Sequence, residues 1–276
     1  MAKRERPEDS VLSKLQQTTR ELAIASSSLD RRAANGVRTK LDEVIRELRG
    51  LYSKLDSIRE PDVVFDPGNP DVVGGFIGIA MLAQQRHPLD SVEPFYGSGI
   101  YALYYNGDFP SYRPLARTEH PIYVGKADPA TPSARTPREQ DVRLLNRLRD
   151  HARTIKKATT TLSLGDFACR FLVVQSGWEA AAETFLIDLF KPIWNNETGI
   201  CHGIGKHGDD PTTRANLRSP WDTMHPGRDW AYRDPKMHDQ TSKGDIEAAL
   251  AAHFSANRPF TNETEVLKHF FDRIRQ

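Results

Sequence analysis

Two short runs set the tightest limit on what this chain can become. Gly99–Tyr105 (GIYALYY) and residues 121–125 (PIYVG) are rich in aromatic and β-branched residues, the types that favour a pleated, half-buried surface. The connection between them opens with the turn signal Asn106-Gly107-Asp108, which predicts a hairpin with an enlarged loop. Residues 167–175 read as a further, buried strand. Elsewhere the apolar period is helical. In residues 11–60, Leu12, Leu15 and Leu22, then Leu41, Val44, Ile45, Leu48, Leu51 and Leu55, predict a helical hairpin with its break at Asn35-Gly36 and its end at Pro61. Further helices are predicted over 74–84, 138–158, 178–190 (stopped by Pro192) and 244–255. A last helix starts at Asn262, where Glu265 completes a capping-box pattern. The fold class expected is α+β: a three-stranded mixed or antiparallel sheet flanked by helices, with an N-terminal helical arm and C-terminal loop and helix extensions.

Charge has to be read locally. The 38 Lys and Arg offset 37 Asp and Glu, which excludes a uniformly basic coat for nucleic acid but not a basic stripe. Residues 135–157 hold such a stripe, eight Arg or Lys against Glu139, Asp141 and Asp150. Two cysteines, Cys169 and Cys201, rule out a disulfide scaffold and fit a reducing compartment. The first ten residues are charged and carry no apolar run, and no segment nears the roughly 18 apolar residues of a membrane span. The expectation is a cytoplasmic protein with no membrane role. Cys201, His202 and His207 lack the paired spacing of a zinc site.

One ordered set of residues carries chemistry: Gly99-Ile100-Tyr101, Tyr123-Val124-Gly125, Arg147 and His151 four apart on one helix, Glu183 on the next helix, and Asn195 after its stop. In this order they resemble the GIY-YIG nucleases, over about residues 99–195. The flanks, around 62–105 and Trp221 to Trp230, resemble the type II restriction endonuclease branch, whose members cut a GC-rich, CCGCGG-type palindrome. Val124 replaces the usual isoleucine, and the stretch between Tyr101 and Tyr123 is longer than in compact members; its insertion, around Tyr112 and Arg113, either touches DNA or covers the sheet. The resemblance implies a GIY-YIG catalytic core over 61–196, after an arm over 1–60 and before a DNA-recognition extension over 197–276.

Phosphodiester hydrolysis needs a base for water, a cation for developing negative charge and a divalent metal at the phosphate. Arg147 and His151 share a helix face at the border of the Leu144, Leu148, Ala152 and Ile155 stripe, which aims both along the core surface. Arg147, always charged and planar, suits the phosphate. The resemblance places both phenols, Tyr101 and Tyr123, at the scissile phosphate, and it leaves the general base open between Tyr101 and His151. An ordinary histidine, with a pKa near ~6.5 against ~10 for tyrosine, favours His151 as base or proton relay. Glu183 resembles the family's sole metal-binding carboxylate, which suits magnesium, and Asn195 its supporting asparagine. Further DNA contacts are expected from Lys126 and Arg143, and guanine readers from Arg218 and Arg228 in a region where Arg214, Arg218, Arg228 and Arg233 alternate with Trp221, His225, Trp230 and Tyr232.

The expected function is a magnesium-dependent type II restriction endonuclease acting on double-stranded DNA. A palindrome favours a homodimer, and a cognate DNA methyltransferase is the expected companion. The alternatives are a noncatalytic DNA-binding protein that keeps the fold, or a repair or homing nuclease of the same superfamily.

Overall fold

The computed structural model describes residues 7–27, 29–55, 58, 64–205, 217–233 and 235–274, and the chain divides into two units, Met1–Phe65 and Asp66–Gln276. The first unit holds two helices, α1 (Pro7–Ser26) and α2 (Arg31–Leu55). Asn35-Gly36 lies inside α2 and is not the break. Asp30 decides this, because its Oδ1 accepts the Ala33 N–H at 2.8 Å and its carbonyl accepts the Ala34 N–H at 2.9 Å, so a helix starts there. An interior glycine costs only about 1 kcal/mol, too little to stop a capped helix. The predicted hairpin also fails in packing: among the described residues α1 and α2 share no extended contact, and both leave apolar side chains exposed. Pro61 lies outside the described residues.

In the second unit, α3 (Pro70–Leu82) begins where Asn69 accepts the Asp71 N–H at 2.9 Å. Strands β1 (His87–Pro88), β2 (Gly99–Tyr105), β3 (Tyr123–Ala127) and β4 (Phe167–Val173) form one antiparallel sheet in the order β1-β4-β2-β3. The three expected strands are its body, and β1 adds a two-residue edge. Strand β3 starts two positions after the run read from sequence, at Tyr123 paired with Leu103. Pro121 has no N–H to give a ladder.

All of β2 is buried, because helices cover both faces of the central strand. On one face Tyr101, Leu103 and Tyr105 pack with Phe167, Cys169 and the stripe Leu144, Leu148 and Ile155. On the other, Ile100, Ala102, Tyr104 and Val124 meet Met81, Phe185, Leu186, Phe190 and Phe270. The basic segment read as one helix is two, α4 (Pro137–Gln140) and α5 (Arg143–Lys157), split at Asp141, whose φ is 63°. The split has a use. Gly97 donates its N–H to the Asp141 carbonyl at 2.7 Å and accepts the Leu144 N–H at 3.0 Å, which docks the start of α5 onto the entrance of β2.

Helix α6 (Glu179–Phe190) follows β4. The aperiodic stretch after it contains a parallel pair of two-residue strands, β5 (Leu217–Arg218) and β6 (His238–Asp239), and two short helices, α7 (Pro220–Met224) and α8 (Asp229–Tyr232). It shares the main core: Cys201, Ile204, Trp221 and Met224 join the cluster around Tyr101. Tyr112, from the long β2–β3 connection, is fully buried there, with its hydroxyl 2.6 Å from His225 Nε2, 3.0 Å from the Trp194 N–H and 3.2 Å from Cys201 Sγ. That part of the insertion covers the sheet. Helices α9 (Lys243–Ala256) and α10 (Glu263–Ile274) close the chain. The Asn262 cap forms, with the Glu265 N–H on Asn262 Oδ1 at 3.0 Å, while the Glu265 carboxylate reaches one residue past the cap to accept the Thr261 N–H at 2.7 Å.

Candidate active site

The site is built on the exposed edge of β3. A side chain meets that edge at each of two alternate residues. At Val124, the Asn195 side chain acts as a missing strand: Val124 N–H donates to Oδ1 at 3.0 Å, and Nδ2 donates to the Val124 carbonyl at 2.8 Å. At Lys126, the backbone N–H faces the Glu183 carboxylate and favours its ionised form. Both groups thereby adjoin the strand that carries Tyr123.

The motif glycines follow from packing. Tyr101 pairs with Gly125, and a Cβ on Gly125 would lie 2.6 Å from the Tyr101 hydroxyl oxygen and 2.8 Å from a ring carbon of Tyr123. Only hydrogen leaves room for the Tyr101 ring. Gly99, with φ +152°, passes so close to β4 that a Cβ would meet the Leu172 carbonyl oxygen at 2.1 Å.

Tyr101, Tyr123 and His151 form a cluster of rings, with centroids 6.0 Å apart for the tyrosines, 5.5 Å for Tyr101 and His151, and 4.9 Å for Tyr123 and His151. The Tyr101 hydroxyl stands 2.7 Å from His151 Nε2, with Tyr123 and Arg147 close enough to act on its titration. Tyr101 and His151 are buried, whereas Tyr123 is half-buried. The two phenols are therefore not equivalent: Tyr123 stands in front, and Tyr101 and His151 stand behind it.

Two adjoining cavities open in front of this cluster. The smaller, about 250 Å³, is lined by Tyr123, Arg147, Glu183, Asn195, Glu197 and the backbone at Gly203 and Gly205, among others. The larger, about 460 Å³, shares Arg147 and Glu183 and adds Lys126, Asp128, Arg143, Asn146 and Asp150. Burial drives the Tyr101 hydroxyl well above the ordinary tyrosine range, and the neighbouring Tyr123 oxygen adds to the rise while Arg147 opposes it. Tyr123 rises for the same first reason, with Arg147 opposing the rise and Glu183 adding to it. Burial works against the Arg147 charge, but the two phenols outweigh it and hold the guanidinium more firmly protonated. Glu183 is raised chiefly by burial, with Glu197 and Asp128 adding like charge against the pull of Lys126. The arrangement offers a fixed cation, a proton-accepting pair behind a phenol, and a carboxylate whose ionised form is only partly compensated.

The model of the Eco29kI GIY-YIG domain matches residues 93–254, more than half of the chain. The chain belongs to this family. GIY-YIG domains of this kind are restriction-type nucleases, so DNA is the substrate. No curated protein matches the chain. Of the residues read from sequence, this GIY-YIG core brings Tyr123, Arg147, Glu183 and Asn195 together at one cavity, sets Tyr101 and His151 behind them, and adds Lys126 and Arg143 at the adjoining one. Lys126 is ion-paired with Asp128 there.

Arg228 needs correction as a guanine reader. Arg228 is buried, bonded through Nε and Nη2 to both oxygens of buried Asp222 at 2.6 and 2.7 Å, with Nη2 also on the Gly203 carbonyl at 3.0 Å. Its guanidinium lies 4.7 Å from the ring centres of both Trp221 and Trp230. A charge so enclosed braces the loop at Gly203 and cannot reach a base. Arg218 is paired with Asp239 at 2.7 Å and lies over Tyr232 at 4.9 Å. The alternation of arginine with aromatics in this region marks cation–π packing inside the fold. Arg214 and His207 lie outside the described residues. Sequence reasoning missed Asn146, Asp150, Asp128 and Glu197. The helical spacing 143, 146, 147, 150 was the available signal for the first two.

Proposed function

We propose that this GIY-YIG chain is a type II site-specific endonuclease that hydrolyses both strands of a GC-rich palindrome in DNA, with one divalent metal ion, magnesium, at each active site. The observation that carries the proposal is the convergence of Tyr123, Arg147 and Glu183 on one cavity, with the Tyr101–His151 hydrogen bond directly behind. The residues fit the ion. Glu183 presents a hard oxygen donor whose charge burial and neighbouring acids disfavour, and a divalent cation relieves that penalty. Glu183 would hold it, and when bound it supplies Lewis-acid stabilisation of charge on the phosphate oxygens.

The chain's own residues do the rest. Arg147 binds a non-bridging phosphate oxygen and strengthens that contact as negative charge grows. Neither phenol is ionised at neutral pH, so a proton must have somewhere to go. Water gives its proton to the Tyr123 oxygen, Tyr123 gives its own to Tyr101, and Tyr101 gives its own to His151 Nε2. The last transfer runs along the 2.7 Å contact between Tyr101 and His151 Nε2, and His151 ends as the cation. Asn195 positions Tyr123 by holding the Val124 backbone. Lys126 and Arg143 meet flanking phosphates, and residues beyond 197 contribute to recognition. The protein works in the cytoplasm as a homodimer, beside a methyltransferase that protects the same site. Among the described residues no helix is long and apolar enough to cross a membrane.

Incubating the purified protein with plasmid DNA, with and without magnesium, tests the reading. Discrete, magnesium-dependent fragments are expected. A salt-sensitive gel shift with no cleavage in any divalent metal would replace the enzyme by a noncatalytic binder.

A further inference from the structure

Helix α2 is amphipathic, and among the described residues of its own unit nothing packs along its apolar face. Its apolar residues do not simply recur at helical spacing. Ala34, Leu41, Leu48 and Leu55 repeat every seven residues, and Val37, Val44 and Leu51 fall between them in strict 3-4 alternation. This is an uninterrupted heptad seam, and its 3.5-residue period differs from the 3.6 of a helix lying on a globular surface. Every residue on the face away from the seam is polar or glycine: Asn35, Gly36, Thr39, Asp42, Glu43, Arg46, Arg49, Gly50 and Ser53. Ile45 and Tyr52 widen the apolar side.

The seam is exposed. Leu55 is 85% exposed, Leu51 55% and Val44 47%, and beside them Tyr52 is 76% exposed. A 25-residue helix with two interior glycines and no packed face has little to hold it together in water. Helix α1 does not supply the cover.

We infer that α2 pairs with α2 of a second copy of this chain, as a coiled-coil dimerisation helix. Two arguments select that occupant. A heptad seam is complementary to another heptad seam, and among the described residues of its own unit no second seam packs along α2. Leu41, Val44, Ile45, Leu48, Leu51, Tyr52 and Leu55 are all exposed on one side of α2, an apolar stripe running along the helix that a partner helix would cover. That the second copy delivers a second catalytic core to the opposite strand rests on the nuclease reading; the pairing itself does not.

Sedimentation equilibrium of the full chain is the test. The wild-type protein is expected to sediment at twice its 31.2 kDa chain mass at micromolar concentration. The variant with Leu41→Glu and Leu48→Glu is expected to sediment as a monomer, its dimer dissociation constant weakened at least about a hundredfold, because two charges per chain enter the seam. Arg46→Ala, on the outer face, should leave the mass unchanged, and thermal unfolding of the second unit should be the same in all three. A monomeric wild type, or a double variant that dimerises as tightly as wild type, overturns the inference. On plasmid, the monomeric variant should accumulate nicked circles where wild type gives linear product. A protein that dimerises through α2 but cuts nothing would sink the nuclease reading and leave the pairing standing.

Discussion

Replacing Gly125 by alanine puts one methyl group where the Tyr101 phenol lies. The new carbon would sit 2.6 Å from the Tyr101 oxygen, 2.7 Å from its ring carbon and 2.8 Å from Tyr123, against the roughly 3.5–4.0 Å of an ordinary contact. Something must retreat by about 1 Å. Tyr101 has no free space around it, so the retreat breaks or lengthens its 2.7 Å bond to His151 and tilts Tyr123 in the cavity. Overpacking of this kind costs about 1–3 kcal/mol, part of which is offset by the ~0.5–1 kcal/mol that alanine gains over glycine in a strand. A second unit of this size keeps its fold at that cost, with a fall in Tm of a few degrees. The reaction should suffer far more, since a misplacement of ~1 Å typically costs about a hundredfold. The assay is single-turnover plasmid cleavage beside thermal unfolding. A folded Gly125→Ala protein cutting within about threefold of wild type would refute the reasoning, because the two phenols would then be free to move without consequence.

Other outcomes follow from the same geometry. Asn195→Ala leaves the buried N–H and carbonyl of Val124 unpaired, each worth about 1–3 kcal/mol, so stability should fall by roughly 2–5 kcal/mol in thermal or urea unfolding, and single-turnover cleavage by about a hundredfold. Glu183→Gln should abolish magnesium-dependent cleavage yet raise the Tm measured in chelator. The sign follows from the carboxyl's raised pKa: the folded state binds its proton more tightly than the unfolded one, so for this group stability falls as pH rises from the usual glutamate value through the raised one, and glutamine avoids that loss. A lower Tm in chelator would contradict it. By the same proton competition, apparent magnesium affinity in titration calorimetry should weaken as pH drops through that raised value. Arg228→Ala strands buried Asp222 and should destabilise the protein by about 3–5 kcal/mol in urea unfolding while leaving the salt dependence of DNA binding unchanged; a shallower salt slope would return Arg228 to the DNA.

Most of the catalytic core was legible because its signals are local. The strand Gly99–Tyr105 has the same limits in sequence and structure, since a buried strand bounded by turn residues leaves little freedom. The four-residue spacing of Arg147 and His151 placed both on one helix face because helix geometry requires it. What escaped the sequence was long-range. Asp141 breaks a basic helix because of Gly97, more than forty residues earlier, and no periodicity announces that contact. Arg228 looked like a reader of bases until Asp222, Trp221 and Trp230 closed around it. The order of the phenols, one in front and one behind, depends on the pairing of Tyr101 with Gly125, which a motif string does not encode. The N-terminal arm misled for a different reason: periodicity gives a helix its apolar face but not the partner for that face.

The relay is tested most directly by removing one oxygen from a side chain that no substrate can touch. Tyr101→Phe keeps the buried ring and deletes only the hydroxyl between Tyr123 and His151. Its single-turnover cleavage rate at saturating magnesium should fall by about 10²–10⁴-fold with DNA affinity nearly unchanged and Tm lower by only a few degrees, because buried His151 Nε2 loses one partner. A rate equal to wild type would mean that the proton leaves the attacking water by another route, and the assignment of the site would have to be redrawn.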